Sequence, residues 1–327
     1  MKLALPNLLA NWPWPGRVNP LQAEVVTASD NWVSSLNALC TTTQEVLSTC
    51  KFGRLASMLY PFADAKQLRR GCDLINVIFI IDDLTESMEV SEVEKAALII
   101  MDAFNNPHNL PRYAEDVIGK IIRQFWLLTI DATCESWQQR FIAAFQRYVD
   151  SVVQQAKWKY DHVEISNVDT YMAQRRENSG GWLTVVLLEL DFNLPSEVYD
   201  HPVISALCVH VIDMASIDND ILSYNVEQSR GDNYNILCVV MNALSLDLPQ
   251  ALVWVARKRQ DLAQSFLAHL TSLPTFGEEY DGLLTKFLSA VAQLVTGNFM
   301  WSLECERYRG NEGPIILPSR EIASRNI

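Results

Sequence analysis

The amino-acid sequence predicts an all-α protein, on three observations. Apolar residues recur at the spacing of amphipathic helices, whereas alternating strand patterns bounded by turn signals are scarce. Glycine is infrequent, with 12 among 327 residues. Some segments, residues 202–217 among them, are apolar on more than one face, as helices are when other helices surround them. We therefore expect a single domain over residues 1–327, in which outer helices enclose buried central ones.

Helix start signals and prolines place the individual elements along the chain. After an N-terminal segment, residues 1–20, Ala28-Ser29-Asp30 opens the first helix, which we expect to reach Leu39. Asp64 opens the second helix, and a third begins near Tyr113 after two prolines. The remaining predicted helices are 134–158, 165–176, 181–190, 202–226, 231–244, 249–271 and 277–307, followed by a C-terminal tail, 311–327.

Composition and charge argue against several classes of function. The net charge is −13 and the isoelectric point about 4.8, so the chain is a poor candidate for binding nucleic acid or anionic membranes. The chain has seven cysteines, an odd number, and they are widely spaced with no CxxC pair. This pattern is typical of reduced thiols. No signal peptide is evident, and the apolar runs are too short to span a bilayer. We expect a cytoplasmic protein with no membrane span and no obligate protein partner.

The most informative feature lies in residues 219–227. Asn219, Ser223 and Glu227 follow one another at intervals of four, so on an α-helix their side chains stack along one face. An amide, a hydroxyl and a carboxylate so aligned make an all-oxygen ligand set, which hard cations such as Mg²⁺ prefer. The alternative is a solvated polar stripe on an ordinary helix. The preceding turns are almost wholly apolar, however, so this stripe begins where a buried helix ends.

A second acidic cluster follows the apolar run 74–81. Asp82, Asp83 and Glu86 stand at the end of their predicted helix, where acidic residues are usually solvated. The functional interpretation is that Asp82, with Asp83 or Glu86, coordinates metal at the mouth of an apolar pocket. Two oxygen clusters on separate apolar helices are able to hold several Mg²⁺ ions around one diphosphate. In so acidic a chain, those ions must supply much of the positive charge.

Arginines and aromatic residues near these clusters each have a structural and a functional interpretation. Arg307 and Tyr308 end the last predicted helix, where the guanidinium is able either to favour the helix dipole or to donate to diphosphate. Arg175 ends another predicted helix before a Gly-Gly stop, and a helix-terminal cation explains it adequately. Phe79 and Trp301 are expected in the core, although ring faces also stabilise carbocations.

Taken together, these features resemble those of class I terpene synthases of the microbial single-domain kind, most of all fungal (basidiomycete-type) sesquiterpene synthases. The family's Asn-Asp-x-x-Ser-x-x-x-Glu triad matches Asn219, Ser223 and Glu227 at every required position. Its Asp-rich motif resembles residues 82–86, with Glu86 where Asp is common. The resemblance extends from about residue 5 to about residue 310.

The family's arginines also have counterparts in the chain. Its C-terminal Arg-Tyr pair matches Arg307-Tyr308, and its diphosphate-sensing Arg matches Arg175. Asn178 and Ser179 then occupy the positions of the helix break that follows the sensor. Where the family often has Lys before the last triad residue, this chain has Val226, and Arg230 is a candidate for the missing cation.

The resemblance implies a helical bundle around a deep apolar pocket, with three Mg²⁺ ions at its rim and Mn²⁺ as a possible substitute. Asp82 would bind two ions from one wall, and the triad would bind the third from the facing wall. Arg175 and Arg307-Tyr308 would hold the diphosphate, while Phe79 and Trp301 would line the pocket. Farnesyl diphosphate is the favoured substrate over its C10 and C20 homologues, and the product would be a sesquiterpene hydrocarbon or alcohol.

Two rival functions remain at this point. A chain-elongating prenyl diphosphate synthase shares the implied fold, but it would want a second Asp-rich motif where this chain has Asn, Ser and Glu. A non-catalytic helical protein that only binds isoprenoid would be expected to have lost a ligand, yet the essential ones are present. The product skeleton, the mode of cyclisation and the oligomeric state are not readable from the sequence.

Overall fold

The structure is a computed structural model that describes residues 2–36, 49–109, 111, 116–131, 133–308 and 313–316. These residues confirm the all-α class. The helices are α1 Gln22–Ser35, α2 Phe52–Leu59, α3 Ala65–Thr85, α4 Val90–Asn105, α5 Val117–Ile130, α6 Glu135–Tyr160, α7 Val168–Asn178, α8 Gly181–Leu188, α9 Ser196–Tyr199, α10 Pro202–Ser229, α11 Ile236–Leu244, α12 Leu248–Leu270 and α13 Glu278–Glu304. Two short strands, β1 Leu3–Ala4 and β2 Ile315–Ile316, pair in parallel.

Short polar residues fix where several helices begin. The carboxylate of Asp64 accepts from the backbone N–H of Gln67 at 2.8 Å and so caps α3, as its sequence position predicts. Asp247 caps α12 in the same way: its carboxylate accepts from the Gln250 N–H at 2.9 Å, and the Gln250 side-chain oxygen accepts from the Asp247 N–H at 3.0 Å. This reciprocal arrangement satisfies two backbone donors that would otherwise lack partners at the helix end.

Some predicted boundaries are wrong. The first helix begins at Gln22 rather than at residues 28–30, because Ser29 is an interior, buried residue whose hydroxyl donates to Asp73 at 2.6 Å. Helices α2 and α4 were not predicted at all. The predicted continuation to Leu39 and the predicted start near Tyr113 lie outside the described residues.

The long helix α10 is at the centre of the packing that positions the site. It packs against α12 and α13, and α2 packs against both α3 and α13. Helix α8 contacts α3, α10 and α13. The two helices that carry the predicted metal motifs, α3 and α10, are therefore linked through shared neighbours.

A break between α7 and α8 fits closely against both motif helices. Gly180 adopts a left-handed backbone with a φ of 71°, which glycine tolerates without strain. A Cβ at Gly180 would lie 2.9 Å from the side chain of Ile78 on α3, and one at Gly181 would lie 2.7 Å from Ile212 on α10. The paired glycines thus allow the break to approach α3 and α10 together.

A buried ion pair ties α12 to α10. Arg259 donates to both carboxylate oxygens of Asp218, at 3.1 and 3.2 Å, and the two side chains are 2% and 0% exposed.

Helices α11 and α12, which meet at an angle of 111°, together have the length and apolar composition that a membrane span requires. Among the described residues, no single helix does so.

The two strands attach both ends of the described chain to α10. Leu3 pairs with Ile315, whose carbonyl accepts from the Asn225 amide at 2.7 Å and whose N–H donates back to it at 3.1 Å. Gly313 passes so close that an added Cβ would lie 2.2 Å from the Asn225 side chain. Glycine is therefore required where the chain crosses α10.

Candidate active site

The chain turns sharply after α13, and that turn delivers an arginine to the site. The prediction of a helix through residue 307 is wrong, because α13 ends at Glu304 and Cys305 is extended, with a ψ of 138°. Residues 306–308 form a separate 3-10 turn. The turn brings Nη2 of Arg307 to 3.6 Å from Oδ2 of Asp82 and its guanidinium carbon to 5.4 Å from the centre of the Phe79 ring.

The acidic residues lie at the end of α3, as the sequence predicts. The Asp82 side chain is 59% exposed, yet it is surrounded by enough protein that desolvation raises the pKa of its carboxyl, against the opposing effect of Arg307. Glu86 lies one turn further, 4.0 Å from Arg230 at the end of α10. Asp83 stands between them on the same helix. A carboxylate whose ionised form is only partly compensated by Arg307 suits a cation ligand.

The triad lies on α10, with its first residue in contact with two groups from elsewhere in the chain. The Asn219 amide donates to the Tyr308 hydroxyl at 2.9 Å, and its carbonyl oxygen accepts from Nη2 of Arg175 at 2.8 Å. Burial raises the pKa of Tyr308 to about 12, so the phenol keeps its proton for donation. Ser223 is buried one turn along, and its hydroxyl donates to the Asp220 carbonyl at 3.4 Å.

Glu227, the last triad residue, is a carboxylate with incomplete charge compensation. Burial and the nearby Asp220 raise its pKa to about 7, although Ser223, Asn235 and Arg175 act in the opposite direction. One of its oxygens accepts from the Asn235 amide at 2.8 Å. A partly buried carboxylate whose hydrogen-bond donor is neutral is stabilised in its ionised form by a cation, so this residue fits a metal ligand.

Arg175 is held by Asp220, a residue that was not singled out from the sequence. Nε of Arg175 donates to Asp220 at 2.9 Å, and the two side chains are 14% and 3% exposed. Asp220 also accepts from the Tyr171 hydroxyl and, at 3.1 Å, from the Ile236 N–H. Tyr171 and Arg175 are four residues apart in the sequence and therefore lie on the same face of α7. That spacing is the sequence feature that indicates a shared partner such as Asp220.

Asn178 and Ser179 lie at the break after α7, as expected from the family pattern. The Asn178 amide donates to Gln155 at 2.8 Å, and the Ser179 hydroxyl donates to the Arg176 carbonyl at 3.2 Å. Ser179 Oγ also accepts from the Gly181 N–H at 3.1 Å. These bonds hold the geometry of the break. The two residues follow Arg175 by three and four positions.

The two predicted pocket aromatics belong to one cluster. Phe79 stacks on Phe52 with ring centres 3.8 Å apart, and Trp301 lies 6.0 Å from Phe79. Trp301 is buried behind them, donates to the Cys50 carbonyl at 2.8 Å and meets the Tyr308 ring edge-on at 5.9 Å. The cluster presents the Phe79 ring beneath the Arg307 guanidinium.

Polar contacts connect the end of α3 with the interior of α10 at Asn219. They run from Asp82 to Arg307, then from Tyr308 to Asn219, and on to Arg175. Within the described ranges, no three His, Cys, Asp or Glu side chains are close enough to hold an ion by themselves. The donor set depends instead on amide and hydroxyl oxygens beside single carboxylates, which fits a hard divalent cation shared with an oxygen-rich ligand.

Comparison with known sequences supports the same family. A family model described as terpene synthase family 2, C-terminal metal binding, matches residues 73–264. A Δ6-protoilludene synthase of Stereum hirsutum is 40% identical over 324 residues, which cover 98% of this chain and 88% of that protein. Sesquiterpene synthase 14 of Postia placenta is 40% identical over 319 residues, covering 97% and 91% of the two chains.

Solved structures with similar folds are also terpene synthases. Wild-type cucumene synthase superimposes with a TM-score of 0.75 at 20% identity, covering 89% of this chain and 99% of that one. Germacradien-4-ol synthase from Streptomyces citricolor gives a TM-score of 0.76 at 20% identity, with coverages of 89% and 96%. At these identities the likeness shows the fold alone, and the sequence matches show the family. The chain belongs to the terpene synthase family.

Proposed function

We propose that this enzyme is a Mg²⁺-dependent sesquiterpene synthase, which ionises farnesyl diphosphate, cyclises the resulting cation and releases diphosphate. The observation that carries the proposal is the set of polar contacts from Asp82 through Arg307 and Tyr308 to Asn219 and Arg175. It places two arginines between two oxygen-rich helix segments, an arrangement suited to a diphosphate and its counter-ions. The names of the fungal relatives support a C15 substrate.

The oxygen ligands divide between two helices. Asp82, with Asp83 and Glu86 beside it, would hold Mg²⁺ from α3, and Asn219, Ser223 and Glu227 would hold it from α10. We expect three ions, with Mn²⁺ able to replace Mg²⁺. When bound, they supply Lewis-acid stabilisation of the negative charge on the departing diphosphate. The raised pKa of Glu227, about 7, supports this assignment because a cation relieves the cost of its partly buried charge.

The arginines would exchange partners when substrate binds. Arg175 donates to the Asn219 oxygen and Arg307 lies beside an Asp82 oxygen, so each guanidinium is paired with a proposed metal ligand. With those oxygens on a cation, Nη2 of Arg175 and the guanidinium of Arg307 would be able to donate to the diphosphate, with the Tyr308 phenol beside them, while Nε of Arg175 stays on Asp220. Because Arg175 leads directly into the break at Gly180, its movement would draw α7 and the break towards the substrate.

The apolar residues would control the fate of the cation. The Phe79 ring lies beside Arg307, close to where the proposed leaving group departs, with Phe52 stacked on it and Trp301 tilted against it. A ring face contributes roughly 2 kcal/mol or more to a desolvated cation. Packed apolar side chains also exclude water, which would otherwise quench the cation early. No protein nucleophile is needed in this mechanism.

Product analysis tests this proposal directly. The full chain is incubated with geranyl, farnesyl and geranylgeranyl diphosphates, with and without Mg²⁺, and extracts are analysed by gas chromatography and mass spectrometry. We expect a Mg²⁺-dependent C15 product from farnesyl diphosphate, and Δ6-protoilludene is the first standard to compare, given the relatives' names. Longer diphosphates formed with isopentenyl diphosphate would support the elongating rival. A folded protein that binds substrate but forms no product would support the non-catalytic rival.

A further inference from the structure

Asn235 connects the start of α11 to the metal-binding end of α10. The side chain is 0% exposed, and both its oxygen and its nitrogen form hydrogen bonds within the protein. Its Oδ1 accepts from the Leu237 N–H at 2.9 Å. Its Nδ2 donates to the Asp220 carbonyl at 2.7 Å and to Oε2 of Glu227 at 2.8 Å. One amide therefore caps one helix and fixes a carboxylate on another.

We propose that Asn235 is a positioning residue for the metal site, whose amide N–H holds the Glu227 carboxylate in the orientation that binds the divalent cation. This inference rests on the function proposed above for Glu227. A donor on Oε2 restricts rotation of the carboxylate and leaves Oε1 available as a ligand. Partners that orient metal-ligating groups in this way typically contribute 10- to 100-fold to metal affinity.

The identity of the residue supports this role over a purely structural one. A helix cap requires only an acceptor oxygen, and other helices here begin at a capping aspartate (Asp64, Asp116 and Asp247) or asparagine (Asn167), so capping alone does not select between the two. A negative cap also interacts favourably with the helix dipole. At position 235 an aspartate would place a second carboxylate against Glu227, whereas asparagine donates. A neutral donor orients the ligand without cancelling the charge that attracts the cation.

The chain contains a matched control. Asn19 is 1% exposed, its Oδ1 accepts from the Leu21 N–H at 2.9 Å, and its Nδ2 donates to the carbonyls of Tyr60 and Ala63 at 2.9 and 2.8 Å. It has the same burial and the same three kinds of bond as Asn235. Its partners are backbone atoms only, so its loss affects the fold without touching a metal ligand.

The experiment compares Asn235→Ser and Asn235→Asp with Asn19→Ser and Asn19→Asp in the full chain. Serine and aspartate both keep a capping oxygen, and neither reproduces the two N–H donations. Three quantities are measured for each protein: the thermal unfolding midpoint without additives, the rise in that midpoint with Mg²⁺ and inorganic diphosphate, and the Mg²⁺ concentration for half-maximal turnover together with kcat.

We expect all four substitutions to lower the unfolding midpoint without additives. Only the Asn235 variants should lose most of the rise caused by Mg²⁺ and diphosphate, and only they should need about tenfold more Mg²⁺ for half-maximal turnover. A Mg²⁺ requirement in Asn235→Ser equal to that in Asn19→Ser would overturn the inference. So would the failure of both Asn235 variants to fold while both Asn19 variants fold, because the role would then be structural.

Failure of the underlying function has a different signature. If the wild-type protein is folded but its midpoint does not rise with Mg²⁺ and diphosphate, the metal site itself is refuted, and the role of Asn235 with it. A normal rise in the wild type that both Asn235 variants keep in full refutes the positioning role alone. The two outcomes are separated before any variant is assayed for turnover.

Discussion

Replacing Asp220 by asparagine tests whether Arg175 depends on its carboxylate. Asp220 accepts from Arg175, from the Tyr171 hydroxyl and from the Ile236 N–H. Asparagine keeps the shape but has one acceptor oxygen and one donor group, so its NH₂ must face at least one of these donors. The change also removes the negative charge from a pair whose side chains are only 14% and 3% exposed.

The size of the effect follows from that burial. Breaking a buried ion pair on one side costs about 3–5 kcal/mol, because the remaining charge is left without compensation. We therefore expect Asp220→Asn to lower the free energy of unfolding by about that amount. Arg175 also loses the contact that directs its guanidinium to Asn219, and loss of one preorganised donor typically reduces kcat by about 10²- to 10³-fold.

A second arginine on the same helix provides the control. Arg176 donates to both oxygens of Asp213 at 2.8 and 2.9 Å, so the two arginines pair with two aspartates across the same helices, α7 and α10. The Arg176 side chain is 25% exposed and can regain water, and we expect Asp213→Asn to cost about 1 kcal/mol with turnover close to wild type.

The assay is urea unfolding followed by circular dichroism, together with turnover of farnesyl diphosphate at saturating Mg²⁺. Both variants are measured under conditions in which each is fully folded, so that stability and activity are separated. Turnover in Asp220→Asn close to wild type would refute the claim that this carboxylate places Arg175. An equal loss of activity in Asp213→Asn would show that the helix contact, and not the individual pair, is what matters.

Three further predictions concern single side chains. Asn219→Leu should abolish turnover with an unchanged circular dichroism spectrum; wild-type activity would refute the metal assignment. Arg307→Ala should lower kcat by about 10²- to 10³-fold while leaving the unfolding midpoint nearly unchanged, since the guanidinium lies beside Asp82 at the surface of the site; a variant that merely unfolds would favour a structural role. Arg259→Met should lower the free energy of unfolding by about 3–5 kcal/mol, measured in urea, because it leaves Asp218 buried and unpaired; a cost below about 1 kcal/mol would contradict this.

The spacing of the triad and the start of α3 were predictable because their information is local. Intervals of four residues place Asn219, Ser223 and Glu227 on one face of any helix, and α10 carries all three. The start of α3 was equally local, since Asp64 caps it with its own side chain. In both cases the sequence neighbours alone decide the geometry.

Other features depend on partners far along the chain, and the sequence did not disclose them. Serine is a common residue at helix starts, but Ser29 lies inside α1. Its hydroxyl donates to a buried partner on α3, Asp73. Asp220 belongs to the same motif as the triad, yet its orientation towards Arg175 is set by the packing of α7 on α10. Position in a motif did not reveal which face each residue presents.

The attachment of β2 to α10 has a consequence for how the enzyme is made. Arg307, Tyr308 and Ile315 leave the ribosome only after every described helix has been synthesised. A chain that stops before Cys305 therefore carries both metal-motif helices and Arg175 but lacks Arg307 and Tyr308, the other residues proposed to hold the diphosphate. It also lacks the partner of Asn225. We expect such a fragment to give no product in the same assay, so unfinished chains would not release reactive cations from substrate that they cannot enclose.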